Sequence, residues 1–336
     1  MNNTYSIGKV PLQWSLEKLS FLTLIYCLLI AGHTSAVETY PARPIRLIVP
    51  FPPGGGADTL ARTIGKKLGD SWGQSVVIDN RPGGATNIAA ELAVNSLPDG
   101  YTLLESVLSH AVNVSLYSKL NYDLEKHLSP VIFLATIPNI LVVHPSVPVK
   151  STRELIEYGR TYPNVLNYAS TGNGSPQHLG MELFKHFTQS QFTQITYKGA
   201  TPAHTDLVSG QVQVMFANML SSLPLIRANR LRALAISSSK RSPLVKEIPT
   251  VMESGVPNFE TGSWFGISVP AKTPTSIVNK LNTEMNLILK EKTLLDKMNA
   301  EGAELMGGNV ERYQQFIHQE IKKWSIVVHT ANIRLD

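Results

Sequence analysis

From residue 44 onward, short β-branched runs alternate with segments whose apolar residues recur every three to four positions. That pattern belongs to strands and helices alternating around a mainly parallel sheet, an α/β fold. Residues 45–49 (Ile-Arg-Leu-Ile-Val) read as the first strand, and after a Pro/Gly loop Leu60, Ile64 and Leu68 fall on one helix face. A second strand is expected at 75–79, a helix at 86–94 and a third strand at 101–104, with Pro98-Asp99-Gly100 as the turn before it. A second series begins at 140–143 and runs through a helix opened by the capping box Ser151-Thr152-Arg153-Glu154. Strands follow at 166–169, 194–196, 212–216 and 231–236, with helices at 177–187 and 202–208. The second of these helices would take Thr201 as N-cap, Pro202 as its first residue and Gly210 past its end. Residues 264–269 form one more strand, and in the closing helices Tyr313, Phe316, Ile317, Ile321, Trp324 and Val328 share a face. No polar or Gly/Ser-rich linker separates the two series, so structured strands should carry the chain between two lobes and leave a cleft. The expected division is residues 37–138 with 266–336 as lobe 1, and 139–265 as lobe 2.

The first 36 residues follow another pattern. An apolar run of 14 residues, 19–32, follows Lys9 and Lys18 and precedes Thr34-Ser35-Ala36. It is shorter than the roughly 20 residues a membrane-spanning helix needs, and it fits a secretory signal cleaved after Ala36. The single cysteine, Cys27, lies inside the run, so cleavage excludes disulfides, a cysteine nucleophile and thiolate metal sites from the exported chain. Lipidation at Cys27 is disfavoured by bulky Tyr26 beside it. Loss of two lysines and one glutamate changes the formal charge from +5 to +4. Lys and Arg are scattered, without the striping of a nucleic-acid surface.

Glycine loops carry the candidate chemistry. Pro52-Pro53-Gly54-Gly55-Gly56-Ala57-Asp58-Thr59 joins the first strand to the first helix, and Thr171-Gly172-Asn173-Gly174-Ser175 does the same in the second series. Glycine permits close approach of the backbone, and a helix start presents free N–H groups and the positive end of its dipole. A third such loop is Arg81-Pro82-Gly83-Gly84-Ala85-Thr86. Together they suggest an anion site built from backbone amides and small hydroxyls. The bland alternative is a set of turns, with Asp58 acting as a helix N-cap.

Other chemistries fit less well. Gly54-x-Gly56 with Asp79 at the end of the next strand half matches a dinucleotide fingerprint, but Thr59 stands where its third glycine belongs. Neither glycine loop leads into the Gly-Lys-Ser/Thr of a phosphate-binding P-loop. An exported hydrolase using Ser175 with His178 is the rival reading, although Gly-x-Ser-x-Gly is absent. The histidines show no His-x-x-x-His spacing for a metal.

Over about residues 40–333 the chain resembles the Bug-type extracytoplasmic solute receptors of the tripartite tricarboxylate transporter family. The matching stretches are 43–55 (Arg-Pro-Ile-Arg-Leu-Ile-Val-Pro-Phe-Pro-Pro-Gly-Gly), 79–85 (Asp-Asn-Arg-Pro-Gly-Gly-Ala), 98–104 (Pro-Asp-Gly-Tyr-Thr-Leu-Leu), Tyr197-Lys198-Gly199 and 248–251 (Ile-Pro-Thr-Val). The resemblance implies a two-lobed periplasmic binding protein of type II-like fold, each lobe a mainly parallel sheet flanked by helices. It implies a non-catalytic monomer without cofactor or metal. This receptor would close on a small carboxylate held by amides, hydroxyls and ordered water. It would deliver that ligand to membrane subunits of a transporter or to a sensor kinase. The expected contacts are Gly54, Gly55, Ala57, Asp58, Thr59, Gly84, Ala85 and Ser109 in lobe 1. In lobe 2 they are Ser170, Thr171, Gly172, Ser175, His178, Tyr197, Lys198 and Asn218. Two departures bear on the ligand: Ala217 stands where the family has Asp, and the loop expected at residues 105–110 is bulkier and more acidic than the family's. With Val107 and Leu108 facing the cleft, the ligand should be smaller or more apolar than citrate.

Overall fold

The computed structural model describes residues 1, 4, 40–330 and 333. The expected export signal, with its cleavage point after Ala36, lies outside them. Residues 43–336 form one compact unit around a ten-stranded mixed sheet of order β2-β1-β3-β9-β4-β7-β5-β6, with β10 and β8 paired to β4.

The first series gives β1 (Ile45–Val49), α1 (Gly56–Trp72), β2 (Val76–Asn80), α2 (Asn87–Val94), β3 (Thr102–Val107) and α3 (Leu108–Leu116). β1 pairs in parallel with β2 and with β3, and its Ile45, Leu47, Ile48 and Val49 are all buried, as a strand covered on both faces requires. Leu60, Ile64 and Leu68 of α1 are buried against the sheet. A short helix, α4 (Leu124–His127), then leads into β4 (Leu128–Val143).

The second series gives α5 (Thr152–Thr161), β5 (Asn167–Ser170), α6 (Pro176–Thr188), β6 (Thr193–Thr196), α7 (Ala200–Ser209), β7 (Val214–Asn218), α8 (Met219–Arg227) and β8 (Arg232–Ile236). β5 is parallel to β6 and to β7. Ser151 Oγ caps α5 by accepting from Glu154 N–H at 3.2 Å. β9 (Gly262–Pro270), α9 (Thr275–Leu289), α10 (Lys292–Ala300), β10 (Glu304–Leu305) and α11 (Val310–Thr330) complete the chain.

β4 and β9 run antiparallel to the strands beside them and join the two parallel sets. Residues 128–138 of β4 pair with β9, whereas 139–143 pair with β7. At about 3.3 Å per residue this one strand extends roughly 50 Å. The sequence reading begins it only at residue 140, because Pro130 and Pro138 look like strand breakers. Here Pro130 borders a shift in register, and Pro138 is the last residue paired with β9.

Two apolar cores lie on either side of this crossing. One packs Leu104, Leu108, Phe133 and Trp264 under Tyr313, Ile317, Trp324 and Val328 of α11, with Phe133 stacked on Phe316 at 4.2 Å. The other gathers Leu141, Tyr168, Phe184, Phe216 and Phe259.

Three local expectations are revised. Residues 105–110 are not a loop, since Glu105–Val107 belong to β3 and Leu108–His110 start α3. Thr201 is not an N-cap: α7 begins at Ala200 behind Gly199, whose φ of +118° lets the chain turn into the helix one residue earlier. α8 was hidden by Pro224, which sits inside that helix and reads in sequence as a helix breaker.

Candidate functional site

The chain folds so that several βα turns meet at the crossing strands. A small cavity of about 40 Å³ lies there, lined by Gly55, Gly56 and Ala57 from the start of α1, Leu108 from α3, Pro176 and Gln177 from α6, Ala200 from α7 and Asn218 before α8. Residues at five helix N-termini therefore line one space, and no charged side chain lines it. Each helix start leaves backbone N–H groups without an intrahelical partner.

Caps decide which of those donors are free. Ser175 Oγ accepts from His178 N–H at 3.3 Å at the start of α6, and Asn218 Oδ1 accepts from Leu220 N–H at 3.1 Å at the start of α8. The N-cap positions of α1, α3 and α7 are Gly55, Val107 and Gly199, and none supplies a side-chain cap. Those three starts combine orphan donors with the favourable end of the helix dipole. The remaining wall is apolar, with Phe51, Val107, Leu108, Trp264 and Phe265.

The cleft is closed across its rim. Thr201 Oγ1 donates to Pro53 O at 3.5 Å, and Ser109 Oγ donates to Gly174 O at 3.0 Å. A Cβ on Gly56 would come within 2.6 Å of Asn218 Oδ1, and one on Gly199 within 2.9 Å of Pro52 Cγ. Glycine is thus needed where the two sides meet most closely.

Of the expected contacts, Gly55, Ala57, Thr171 and Asn218 line the cavity, as do Gly56, Val107 and Leu108, which the sequence also singled out. Thr171 Oγ1 donates to Gln177 Oε1 at 2.8 Å, and Asn218 Nδ2 donates to Ser263 Oγ at 3.1 Å. Gly54 and Asp58 support the turn from behind: Asp58, third residue of α1, accepts from Gly54 N–H at 3.0 Å, Asn80 Nδ2 at 3.0 Å and Arg62 Nε at 2.9 Å. Burial pushes the Asp58 carboxyl up, yet these donors and the Arg62 charge outweigh it and hold its pKa below the ordinary value. Asp58 is therefore a partnered carboxylate, and Thr59 N–H closes the first turn of α1 on Gly55 O.

The others surround the cavity without lining it. Ser170 Oγ accepts from Gln194 Nε2 at 2.8 Å, and Gly172 holds a φ of +131° in the loop before α6. Tyr197 donates to Asp206 Oδ2 at 2.9 Å; burial and that carboxylate push its pKa up to about 12. Lys198 is exposed. Gly84 faces solvent, and Ala85 O accepts from Asn113 Nδ2 at 2.7 Å, so this third glycine loop braces α3 beside the cavity.

Ser175 and His178 are not paired as nucleophile and base. The Ser175 hydroxyl is the cap of α6, while His178 Nδ1 accepts from Gly174 N–H at 3.3 Å. Burial lowers the His178 pKa, favouring the neutral ring. Gln177, Ala200, Trp264 and Phe265 are lining residues that the sequence did not expose. Their only signal was position just inside a helix or at a strand crossing, and tertiary packing decides what such positions face.

A larger cavity of about 840 Å³ lies beyond Trp264, between Ser238, Lys240, Phe316 and Trp324. Ser263 and Trp264 line both spaces. Only the smaller cavity is lined by residues at five helix N-termini. Among the described residues no cluster of His, Cys, Asp and Glu could hold a metal, and no helix is long and apolar enough to cross a membrane.

Residues 60–333 match the family model described as tripartite tricarboxylate transporter family receptor. Protein BugT of Bordetella pertussis (strain Tohama I) is 39% identical over 308 residues, which is 91% of this chain and 94% of that protein. The solved structure of R. palustris Rpa4515 with adipate is 40% identical with a TM-score of 0.85, covering 88% of this chain and 99% of the other. MatC from Rhodopseudomonas palustris, with bound malate, is 31% identical with a TM-score of 0.82, covering 86% and 100%. With its two-lobed α/β fold, this chain belongs to the receptors of the tripartite tricarboxylate transporter family.

Proposed function

We propose that this chain is a periplasmic solute receptor, exported by cleavage after Ala36, that closes two lobes around a small carboxylate. The observation that carries the reading is the convergence of five helix starts, three of them without a side-chain cap, on a cavity lined by no charged side chain. Where a bound ligand displaces water, N–H groups at helix starts stabilise an anion more strongly, because less water screens them. Amides at Gly56, Ala57, Leu108 and Ala200 would hold carboxylate oxygens. The Thr171 and Gln177 side chains would add directional contacts.

The lobes would be residues 37–138 with 266–336, and 139–265, moving about the β4 and β9 crossings. Asp58, Ser109, Ser175 and His178 would hold the shape of the loops, and Tyr197 and Lys198 would sit at the rim. Val107, Leu108, Trp264 and Phe265 would pack on the carbon skeleton, which favours a carboxylate less polar than citrate. The adipate in the Rpa4515 structure is of that class. The receptor would act as a monomer and hand its ligand to the membrane subunits of a tripartite transporter or to a sensor.

A thermal-shift screen of ligand-stripped protein against mono-, di- and tricarboxylates tests this. A ligand at about 100 times its Kd adds about 2.7 kcal/mol to the folded state. An apolar dicarboxylate should raise Tm more than citrate does, and indifference to every carboxylate in the screen would overturn the reading.

A further inference from the structure

Glu105 is an acid in the wrong place for one. It lies in β3 opposite Ile267 of β9, is 0% exposed, and neither of its carboxyl oxygens has a hydrogen-bond partner in the protein. Side chains alternate across a sheet, so Glu105 shares a face with Val107, while Ser106 points the other way and donates to Ser268 Oγ at 2.8 Å. Val107 and, from α1, Ala57 line the ligand cavity. The charge acting on Glu105 is that of Asp58, in the first turn of α1. The acid therefore shares a sheet face with the cavity-lining Val107, two residues along β3, and feels the Asp58 charge from the first turn of α1.

No counter-ion reaches it from the elements around it. On α1, Arg62 is bound to Asp58 at 2.9 Å, and on β1, Arg46 is bound to Asp79 at 2.5 Å. His110, in the first turn of α3, accepts from Val107 N–H through Nδ1 at 3.2 Å and is kept neutral by burial. Tyr313 of α11 is a phenol whose own pKa burial drives up. β9 brings the apolar Ile267. An ionised Glu105 would be a buried, unpaired charge facing a second carboxylate, a state whose desolvation cost is removed by taking up a proton. Burial, then Asp58, push its pKa well above the ordinary value.

We propose that Glu105 is a specificity element that carries a proton in the closed receptor, so that an anionic ligand binds together with that proton. This inference rests on the carboxylate reading of the cleft. With Glu105 neutral, the helix starts dominate the field in the cavity. Once ionised, it sets a negative charge beneath the bound anion where screening is weak. Binding and protonation then favour each other reciprocally. Above the pKa of Glu105 in the ligand-free receptor, affinity falls by up to about tenfold per pH unit, the limit for one linked proton.

The test uses the mature chain, adipate as the probe, and calorimetry in buffers of different ionisation enthalpy between about pH 6 and pH 9. Wild type should bind more weakly as pH rises and take up protons on binding, whereas E105Q should bind with pH-independent affinity and no such uptake. Without ligand, infrared spectra at neutral pH should show the carbonyl stretch of a protonated buried carboxyl, lost in E105Q. E105M replaces E105Q should the latter fail to fold. Adipate binding that is pH-independent in wild type, or equally pH-dependent in E105Q, overturns this inference alone, as does absence of the infrared band. Failure of adipate and other carboxylates to bind at any pH, with the band present, overturns the carboxylate reading and this linkage with it.

Discussion

Trp264 Nε1–H donates to Glu320 Oε2 at 3.0 Å, and Trp324 donates to the same oxygen at 3.0 Å. Glu320 thereby ties α11 to β9 at the residue that lines both the smaller cavity and the larger one beyond it. Trp264 also packs edge-on against Phe316 at 5.4 Å, so the indole is fixed at both ends. Replacing Glu320 with Ala leaves two buried N–H groups unpaired, at about 1–3 kcal/mol each. E320A should therefore lose about 2–6 kcal/mol in urea unfolding, and E320Q, whose remaining carbonyl oxygen can still accept both N–H groups, clearly less than E320A. An unchanged midpoint for E320A would contradict the role given to this carboxylate.

Because Trp264 lines the proposed binding cavity, its fluorescence should report binding. A carboxylate titration should change the emission of wild type, and the W264F protein should lose most of that change while Trp72 and Trp324 still emit. If W264F retains the full signal, the ligand does not sit against this indole.

The proposed closure requires the absence of a side chain at Gly56. A Cβ there would lie 2.6 Å from Asn218 Oδ1, which is committed to capping α8. G56A should fold, since Ala is well tolerated in a helical first turn, but the lobes should be held apart. Ligand affinity should fall at least about tenfold, equivalent to about 1.4 kcal/mol. Solution scattering should show less compaction on adding ligand than in wild type. Equal compaction in both would show that this contact does not limit closure.

Some of this could be read from the chain and some could not. The glycine loops at residues 54–56 and 172–174 were legible because runs of glycine between a strand and a helix have a local cause. Which helix starts remain uncapped was not legible. The start of α7 at Ala200 depends on Gly199 adopting a φ of +118° against Pro52, a contact between distant parts of the chain. The loop at 81–86 looks like the other two in sequence, yet Gly84 faces solvent and Ala85 braces Asn113. β4 was half concealed by Pro130 and Pro138, whose missing N–H groups are tolerated at a register shift and at the end of the β9 pairing.

Ser175 separates the receptor from the hydrolase. Its hydroxyl caps α6 at His178 N–H, so S175A should cost about 1 kcal/mol of stability. It should leave carboxylate affinity within a few fold of wild type. Ester or amide turnover that is present in wild type and abolished in S175A would favour catalysis instead.

Acid should unfold the protein earlier than its carboxylates alone would dictate. Burial lowers His110 to about 4, against a smaller upward pull from the Thr86 carbonyl, and burial lowers His204 to about 4. Both pKa values lie below the ordinary value of 6.5, so the unfolded chain takes up these protons first. The stability contributed by the neutral rings is present above about pH 6.5 and is lost as pH falls toward about 4. His204 Nε2 is buried without a partner in the protein, so H204L removes one linked proton without breaking a hydrogen bond at that atom. Urea midpoints measured from about pH 7.5 down to pH 4.5 should fall less steeply in H204L than in wild type. At neutral pH, H204L should be as stable as wild type or more so, because an unsatisfied polar atom has been replaced by an apolar one. Parallel acid slopes in the two proteins would show that His204 is accessible to protons in the folded state.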